Sequence, residues 1–508
     1  MSLAILASRA LHGFQALPVK VEVHVGAGLP AFNIVGLPDT GVRESRERVR
    51  SALLSGGYTF PAGRITVNLA PADLPKHSGR FDLAIALGIL LATGQIPALR
   101  PDQAVHQIPD HVFVGELSLT GTLGAINGAL AIALAVARDA PGAILVMPAA
   151  SAAVAAQVPG ISVCSAETLA DVANALARGQ AMPRAQPLPP GRQPEAPPCL
   201  SEVIGQAAGR RALEIAACGG HSLLMCGPPG VGKSMLAQRL PGLLPPLAVA
   251  QRLEVAALHG LAGHDIAPSD QPPFRAPHHT ASTPAVVGGG AWPRPGEISL
   301  AHNGVLFLDE IPEFQRAVLE SLREPLETGQ VSIARARISC TFPARFQLVA
   351  AMNPCPCGWA GHARRVCTCA PGRVEAYRRR LSGPLLDRID LHVGLTTPET
   401  SWLSAACGER SDEVRQRVLR CRSNQLDRQG CTNAQLEGAA LRRHAEPTTQ
   451  AANLLRDAAQ HWGWSARVMH RLLRVSRTLA DMASSDTVSA EHVAEALQFR
   501  PTWGEQYH

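Results

Sequence analysis

Leu223-Leu224-Met225-Cys226-Gly227-Pro228-Pro229-Gly230-Val231-Gly232-Lys233-Ser234 is followed by the helix-forming run Met235 to Leu240. A short apolar strand, a loop of the form GxxxxGK[ST] and a helix start make up the context a phosphate-binding loop requires. Backbone N–H groups of Gly227, Pro228, Pro229, Gly230, Val231 and Gly232, where the residue has one, can close around phosphates, and the helix N-terminus adds partial positive charge. The motif assigns Lys233 to the β and γ phosphates of ATP and Ser234 to Mg2+. Only Lys20, Lys76 and Lys233 are lysines, so 44 of the 47 basic residues are Arg. A compact ammonium at Lys233 fits a site too tight for a guanidinium.

A nucleotide hydrolase also needs one carboxylate for the metal and one to polarise water. Val305-Leu306-Phe307-Leu308-Asp309-Glu310 offers both at the end of an apolar strand, with Asp309 on the Mg2+ side and Glu310 as general base. Leu348 to Met352 is another apolar strand and ends in Asn353, placed to orient the attacking water. Taken alone, a strand-end Asn is a turn residue.

Working outward, the chain of 508 residues is long enough for about three domains. With 46% apolar and 17% charged residues it has ample material for a core, which excludes a mostly disordered protein. A net charge of +6 suits a polyanionic partner without identifying one. Met1 to Phe14 shows only a short apolar run broken by Arg9, which argues against a signal peptide. The longest apolar stretches, Leu83 to Ala92 and Gly128 to Ala137, fall short of the roughly 20 residues a membrane span needs. The twelve cysteines therefore read as reduced thiols of a cytoplasmic protein with no membrane partner.

Seven prolines between Met182 and Leu200 mark a semi-rigid linker. Before it, Val21 to Val25 and Ile65 to Asn68 alternate like strands, and Phe81 to Leu91 and Gly128 to Arg138 read as helices. After about Pro398 the pattern is helical and rich in Arg. The expected layout is an α/β chain with an N-terminal domain over 1–180, a linker over 181–200, a nucleotide core over 201–395 and a helical lid over 396–508.

These motifs, together with Pro273-Phe274-Arg275-Ala276-Pro277-His278-His279-Thr280, Gly296 to His302 and Leu385-Leu386-Asp387-Arg388-Ile389-Asp390, resemble the magnesium-chelatase-like branch of AAA+ P-loop ATPases. The whole-chain layout resembles the ComM/YifB family within it. The resemblance implies a ring, usually a homo-hexamer, with ATP bound between neighbours. It makes Arg388 the arginine finger and Arg467, in Ser465-Ala466-Arg467, the second nucleotide sensor; a solvated helix Arg is the plain alternative for each.

Gln330 to Phe346 reads as a hairpin, Val331-Ser332-Ile333 out and Cys340-Thr341-Phe342 back, with Arg335 and Arg337 near its tip. In this branch the corresponding hairpin points into the pore, which implies contact with a DNA backbone. Val286 to Gly296 resembles a second pore insertion, with Arg294 and with Trp292 either stacking on a base or packing locally. Cys355-Pro356-Cys357 and Cys367-Thr368-Cys369 can supply four thiolates to a structural Zn2+, with His362 as a substitute ligand; free thiols or a redox-labile pair are the alternatives. Cys218, Cys226 and Cys431 read as small core residues.

Gly115 to Gly121 and the helix after Lys76 to Asp82 resemble the Lon-type domain of ribosomal protein S5 domain 2-like fold. Ser78 falls near the nucleophile's place, but Leu130 stands where the Lys base belongs, so the domain reads as a non-proteolytic binding or assembly module. The family resemblance implies a helicase that promotes branch migration of recombination intermediates in natural transformation. The rival is a protein-remodelling ATPase of the chelatase type.

Overall fold

The computed structural model describes residues 2–37, 39–76, 78–97, 105–189, 196–264, 266–290, 292–335, 338–397 and 408–500. The chain is an α/β protein with a mixed N-terminal sheet, a parallel central sheet and a C-terminal set of helices.

The N-terminal sheet has seven strands in the order Ala31–Val35, Arg64–Ala70, Gln15–Gly26, Ser2–His12, Val105–Phe113, Ile144–Pro148 and Ser162–Ala166. The two long central strands pair antiparallel, as do Gln15–Gly26 and Arg64–Ala70; the remaining neighbours pair in parallel. Val19, Val21 and Val23 are buried while Lys20 is exposed, the alternation of a strand with one covered face. Helix Asp82–Ala92 packs there with every residue buried, because its sequence after Asp82 is apolar on all sides and Asp82 itself pairs with Arg48 at 2.6 Å. Ser2–His12 is a full strand despite Arg9, whose buried guanidinium reaches Asp139 at 2.9 Å and the Ala16 carbonyl at 3.2 Å.

The opposite sheet face joins this region to the rest of the chain. Helix Ala129–Asp139 packs on helix Val249–Leu261, and Leu130, Ile132, Leu145 and Met147 share one apolar cluster with Leu253, Ala256 and Ala257. The turn between the first two strands also docks on the hairpin Gln330–Arg335 and Ile338–Pro343. His12 Nε2 lies 2.7 Å from the Ser339 carbonyl, and Phe14 packs against the apolar clusters on both sides. Gly13 allows this approach, since a Cβ there would stand 2.9 Å from Cys340 Cβ.

The Pro-rich stretch is structured where it is described. Ser165 N–H donates to the Pro183 carbonyl and Ala185 N–H to the Val163 carbonyl, each at 2.9 Å. This segment therefore extends the sheet at its edge, where a missing proline donor is tolerated. At the far end Leu200 is buried and its N–H donates to Ser411 Oγ at 2.7 Å.

The central sheet runs Phe274–Arg275, Val305–Leu308, Gln347–Met352, Leu223–Cys226, Leu391–Gly394, all parallel. Gln347–Met352 is buried throughout, as a strand covered on both faces must be. Its one polar residue, Gln347, donates to the Ala216 and His221 carbonyls at 2.8 Å each. The C-terminal helices are Ser411–Gln429, Gly438–His444, Thr449–Trp462, Ala466–Met482 and Ala490–Gln498.

Candidate functional site

The carboxyl ends of three adjacent central strands converge on one place, where the crevice of an open parallel sheet takes its ligand. Leu223–Cys226 leads into the loop and helix Lys233–Leu243, Val305–Leu308 ends at Asp309 and Glu310, and Gln347–Met352 ends at Asn353. The turn into the helix requires Gly232, whose φ of +96° few side chains adopt.

The side chains meet as well. Lys233 is 9% exposed, and its Nζ donates to Gly227 O at 2.6 Å, Pro228 O at 3.0 Å and Asn353 Oδ1 at 2.9 Å. Burial lowers the Lys233 pKa from its ordinary value, against the opposing pull of Asp309 and Glu310. Ser234 Oγ donates to Asp309 Oδ2 at 2.8 Å, which puts a hydroxyl and a carboxylate together as hard oxygen ligands for Mg2+. The cradle fits a phosphate group: the Lys233 donors are satisfied only by loop carbonyls and one amide, with no carboxylate in contact among the described residues.

Glu310 has the left-handed φ of +50°, a conformation that costs energy for a non-glycine. Its Oε2 faces His279 Nδ1 at 3.4 Å, and the His279 ring meets Phe314 edge-on. Sequence reading gave His279 no separate role, although it lies in the quoted Pro277 to Thr280 segment.

Arg388 and Arg467 form a second group. Arg388 Nη2 is 2.5 Å and Arg467 Nη2 3.7 Å from the same atom, Glu327 Oε1. Neither Arg has a polar contact with Lys233, Ser234, Asp309, Glu310 or Asn353 among the described residues. Beneath them Asp390 ties the core to the lid. Arg471 Nη1 donates to Asp390 Oδ1 at 2.6 Å and to the Arg388 carbonyl at 2.9 Å, and His221 Nδ1 lies 3.3 Å from Asp390 Oδ2. Burial alone would raise the Asp390 pKa, but the His221 hydrogen bond and the Arg471 charge outweigh it and hold the carboxyl well below its ordinary range.

The two hairpins lie side by side. Gln330–Arg335 and Ile338–Pro343 pair as the spacing predicts, with Val331 opposite Phe342 and Ile333 opposite Cys340. Gly288–Gly289 pairs with Arg294–Pro295. Ile333 packs on Gly288 and the Arg335 guanidinium on Gly289, while Trp292 and Arg294 are exposed. Arg337 lies outside the described residues.

Cys355, Cys357, Cys367 and Cys369 place all four Sγ atoms within 4.8 Å of one another, with three of the separations 3.3, 3.5 and 3.6 Å. A tetrahedral ion with thiolates at about 2.3 Å needs sulfurs about 3.8 Å apart, so the set fits with small adjustments. His362 is not part of it: Nδ1 accepts from the N–H groups of Arg364 and Arg365 at 3.0 Å, and Nε2 lies 3.2 Å from Thr397 Oγ1. The cysteine loop abuts the phosphate loop, where Gly358 meets Pro229.

In the N-terminal region Ser78 Oγ accepts from Arg80 Nε at 2.9 Å, buried Lys76 donates to the Pro71 carbonyl, and Leu130 is buried. Among the described residues Ser78 has no base in hydrogen-bond reach. No helix among the described residues is long and apolar enough to cross a membrane.

Comparison with known proteins places these features. Residues 199–402 match the family model described as magnesium chelatase, subunit ChlI; 21–151 match subunit ChlI of Mg-chelatase, and 408–500 the ChlI C-terminal model. The chain is 45% identical to YifB of Escherichia coli over 508 residues, covering 98% of this chain and 97% of that one. It is also 45% identical to the competence protein ComM of Haemophilus influenzae over 512 residues, covering 98% of each. A more distant likeness, 25% identity over 216 residues, links 40% of the chain to 25% of the maternal DNA replication licensing factor mcm6 of Xenopus tropicalis. With the P-loop fold, the three ChlI matches and near full-length identity of this order, the chain belongs to the ComM/YifB family of magnesium-chelatase-like AAA+ ATPases.

Proposed function

We propose that the chain is an ATP-driven motor on DNA, a helicase that assembles as a homo-hexamer and promotes branch migration of recombination intermediates during natural transformation. The observation that carries this reading is the route from hairpin to nucleotide site. Strand Ile338–Pro343 returns from the Arg335 tip, and Gln347–Met352 then runs to Asn353, which touches Lys233. A shift in the nucleotide contacts therefore reaches the hairpin along one continuous segment, the buried strand Gln347–Met352 and the short turn before it. The competence-protein name of one relative and the replication-factor name of another support DNA as the polymer gripped.

In this reading Lys233 and the loop N–H groups bind the ATP phosphates, Ser234 and Asp309 hold Mg2+, and Asn353 orients the water. Bound Mg2+ would neutralise phosphate charge. Glu310 takes the proton from the attacking water, and His279 holds the Glu310 carboxylate until nucleotide is in place. Arg388 and Arg467 serve the neighbouring subunit's ATP, since they stand apart from the cradle of their own chain. Arg335, Arg337, Trp292 and Arg294 contact the DNA.

The test is the steady-state ATPase rate without DNA, with single-stranded DNA and with a branched junction, using Glu310→Gln as blank. Stimulation, largest on the junction, is expected; a rate indifferent to all DNA would favour protein remodelling. In the same preparation Arg335→Ala should weaken single-strand binding and flatten its salt dependence by about 0.7 in log–log slope, the share of one phosphate contact.

We further propose that the four-cysteine knot holds one structural Zn2+. Metal analysis of the protein purified under reducing conditions should find about one Zn2+ per chain. Cys355→Ser should lose it and lower the melting temperature by several degrees. Zinc-free wild-type protein with unchanged stability would leave plain thiols.

A further inference from the structure

Glu327 has no role in the chemistry described so far, yet both lid-side arginines converge on it. Arg388 is 6% exposed; its Nη2 contacts Glu327 Oε1 at 2.5 Å, its Nη1 donates to the Pro384 carbonyl at 2.6 Å, and its buried Nε has no partner among the described residues. Arg467 Nη2 reaches the same Glu327 oxygen at 3.7 Å. A guanidinium folded inward on this carboxylate is not at the same time extended to a neighbouring subunit.

The position of Glu327 in the chain matters as much as its charge. It lies in the short helix Arg323–Thr328, which Gly329 ends and which passes directly into hairpin strand Gln330–Arg335. Glu324 of the same helix accepts from Ser332 Oγ at 2.7 Å, and Thr328 Oγ1 accepts from the Gln330 N–H at 3.2 Å. Helix and hairpin base are therefore tied together, and Glu327 moves with the element that carries Arg335.

We propose that Glu327 is a positioning residue that holds Arg388 and Arg467 back from the neighbouring subunit's nucleotide and releases them when the hairpin moves. The inference rests on the ring-motor reading. Carboxylate and γ-phosphate are both anions that take a guanidinium in charge-assisted hydrogen bonds, so they compete for the same groups. The arginines then have two resting places, one on Glu327 and one across the subunit boundary, and a small displacement of the helix selects between them. DNA that draws the hairpin along the pore would withdraw Glu327 and free the finger, which makes hydrolysis depend on a gripped strand.

The experiment compares ATPase rates with and without single-stranded DNA for wild type, Glu327→Gln and Glu327→Asp, with ring assembly followed by sedimentation. Glutamine keeps the shape and removes the charge that holds the arginines. The expected result is a basal rate raised several-fold and a stimulation ratio falling toward one in Glu327→Gln, with DNA affinity unchanged; Glu327→Asp retains the ratio. A parallel fall of both rates with the ratio intact, or no change in either, would overturn the proposal. Should Glu327→Gln not assemble, the double variant Glu324→Gln with Ser332→Ala decides. It leaves Glu327 in place and removes the Glu324–Ser332 tie to the hairpin, so stimulation should fall while the basal rate stays; full stimulation would refute the coupling. Wild type that DNA does not stimulate would refute the motor reading itself, whereas stimulated wild type with an unaltered ratio in Glu327→Gln refutes only this inference.

Discussion

Lys233→Ala should lower ATP turnover by about a hundredfold or more, the scale for removing one preorganised donor from developing phosphate charge. Among the described residues Lys233 Nζ donates to three acceptors, Gly227 O, Pro228 O and Asn353 Oδ1. They hold the ammonium in place for phosphate oxygens to replace them. Burial lowers the Lys233 pKa from its ordinary value, against the opposing pull of nearby acids, and the alanine removes the amine altogether. Lys233→Arg should restore little, since Lys233 is only 9% exposed and a bulkier planar guanidinium would have to fit in its place. Phosphate release under saturating ATP is the measurement. Turnover at the wild-type rate in Lys233→Ala would remove the phosphate loop from the reaction.

Arg388→Ala should cost about as much or more, since an arginine finger contributes roughly 10³ to 10⁵ in kcat. Here the structure makes a sharper test possible, because among the described residues Arg388 makes polar contacts with Glu327 and Pro384 of its own chain and none with the phosphate-loop residues. If the finger serves a neighbour, two dead proteins can repair each other. A boundary at which an Arg388→Ala subunit supplies Lys233 and a Lys233→Ala subunit supplies Arg388 is complete, and roughly a quarter of the boundaries in a randomly mixed ring are of this kind. Mixing the two variants in equal amounts should recover measurable turnover. Failure to recover any, with mixed rings shown to form, would place the Arg388 function within its own subunit.

The parts of this site that were legible in the sequence are those whose chemistry is local. Gly227 to Ser234, Asp309-Glu310 and the hairpin register from Val331 to Phe342 are set by spacing along one or two elements, and the structure shows the corresponding strands and pairings. The two close cysteine pairs were legible for the same reason, whereas His362 was excluded only by the backbone N–H groups and Thr397 that engage its ring. Contacts between distant segments left no local signal. Glu327 is one exposed acid among many until Arg388 folds against it, and His279 is one of two adjacent histidines until Glu310 turns toward it. The first strand was obscured by Arg9, a charge tolerated in a buried strand because Asp139 on a separate helix neutralises it. Strand Phe274–Arg275, two residues long, is recognisable only by its pairing with Val305–Leu308.

The docking of the His12 to Phe14 turn on the hairpin bears on how such a protein can be inherited. Domains that touch only through a tether can be exchanged between genes, because neither half needs the other's surface. Here His12 meets the Ser339 carbonyl, Gly13 leaves room for Cys340, and Leu253, Ala256 and Ala257 are covered by the N-terminal region. A gene that acquired the ATPase without its first domain would encode a protein with a bare apolar flank and an unbraced hairpin. Substitutions at Gly13 are therefore answerable to Cys340 across the boundary.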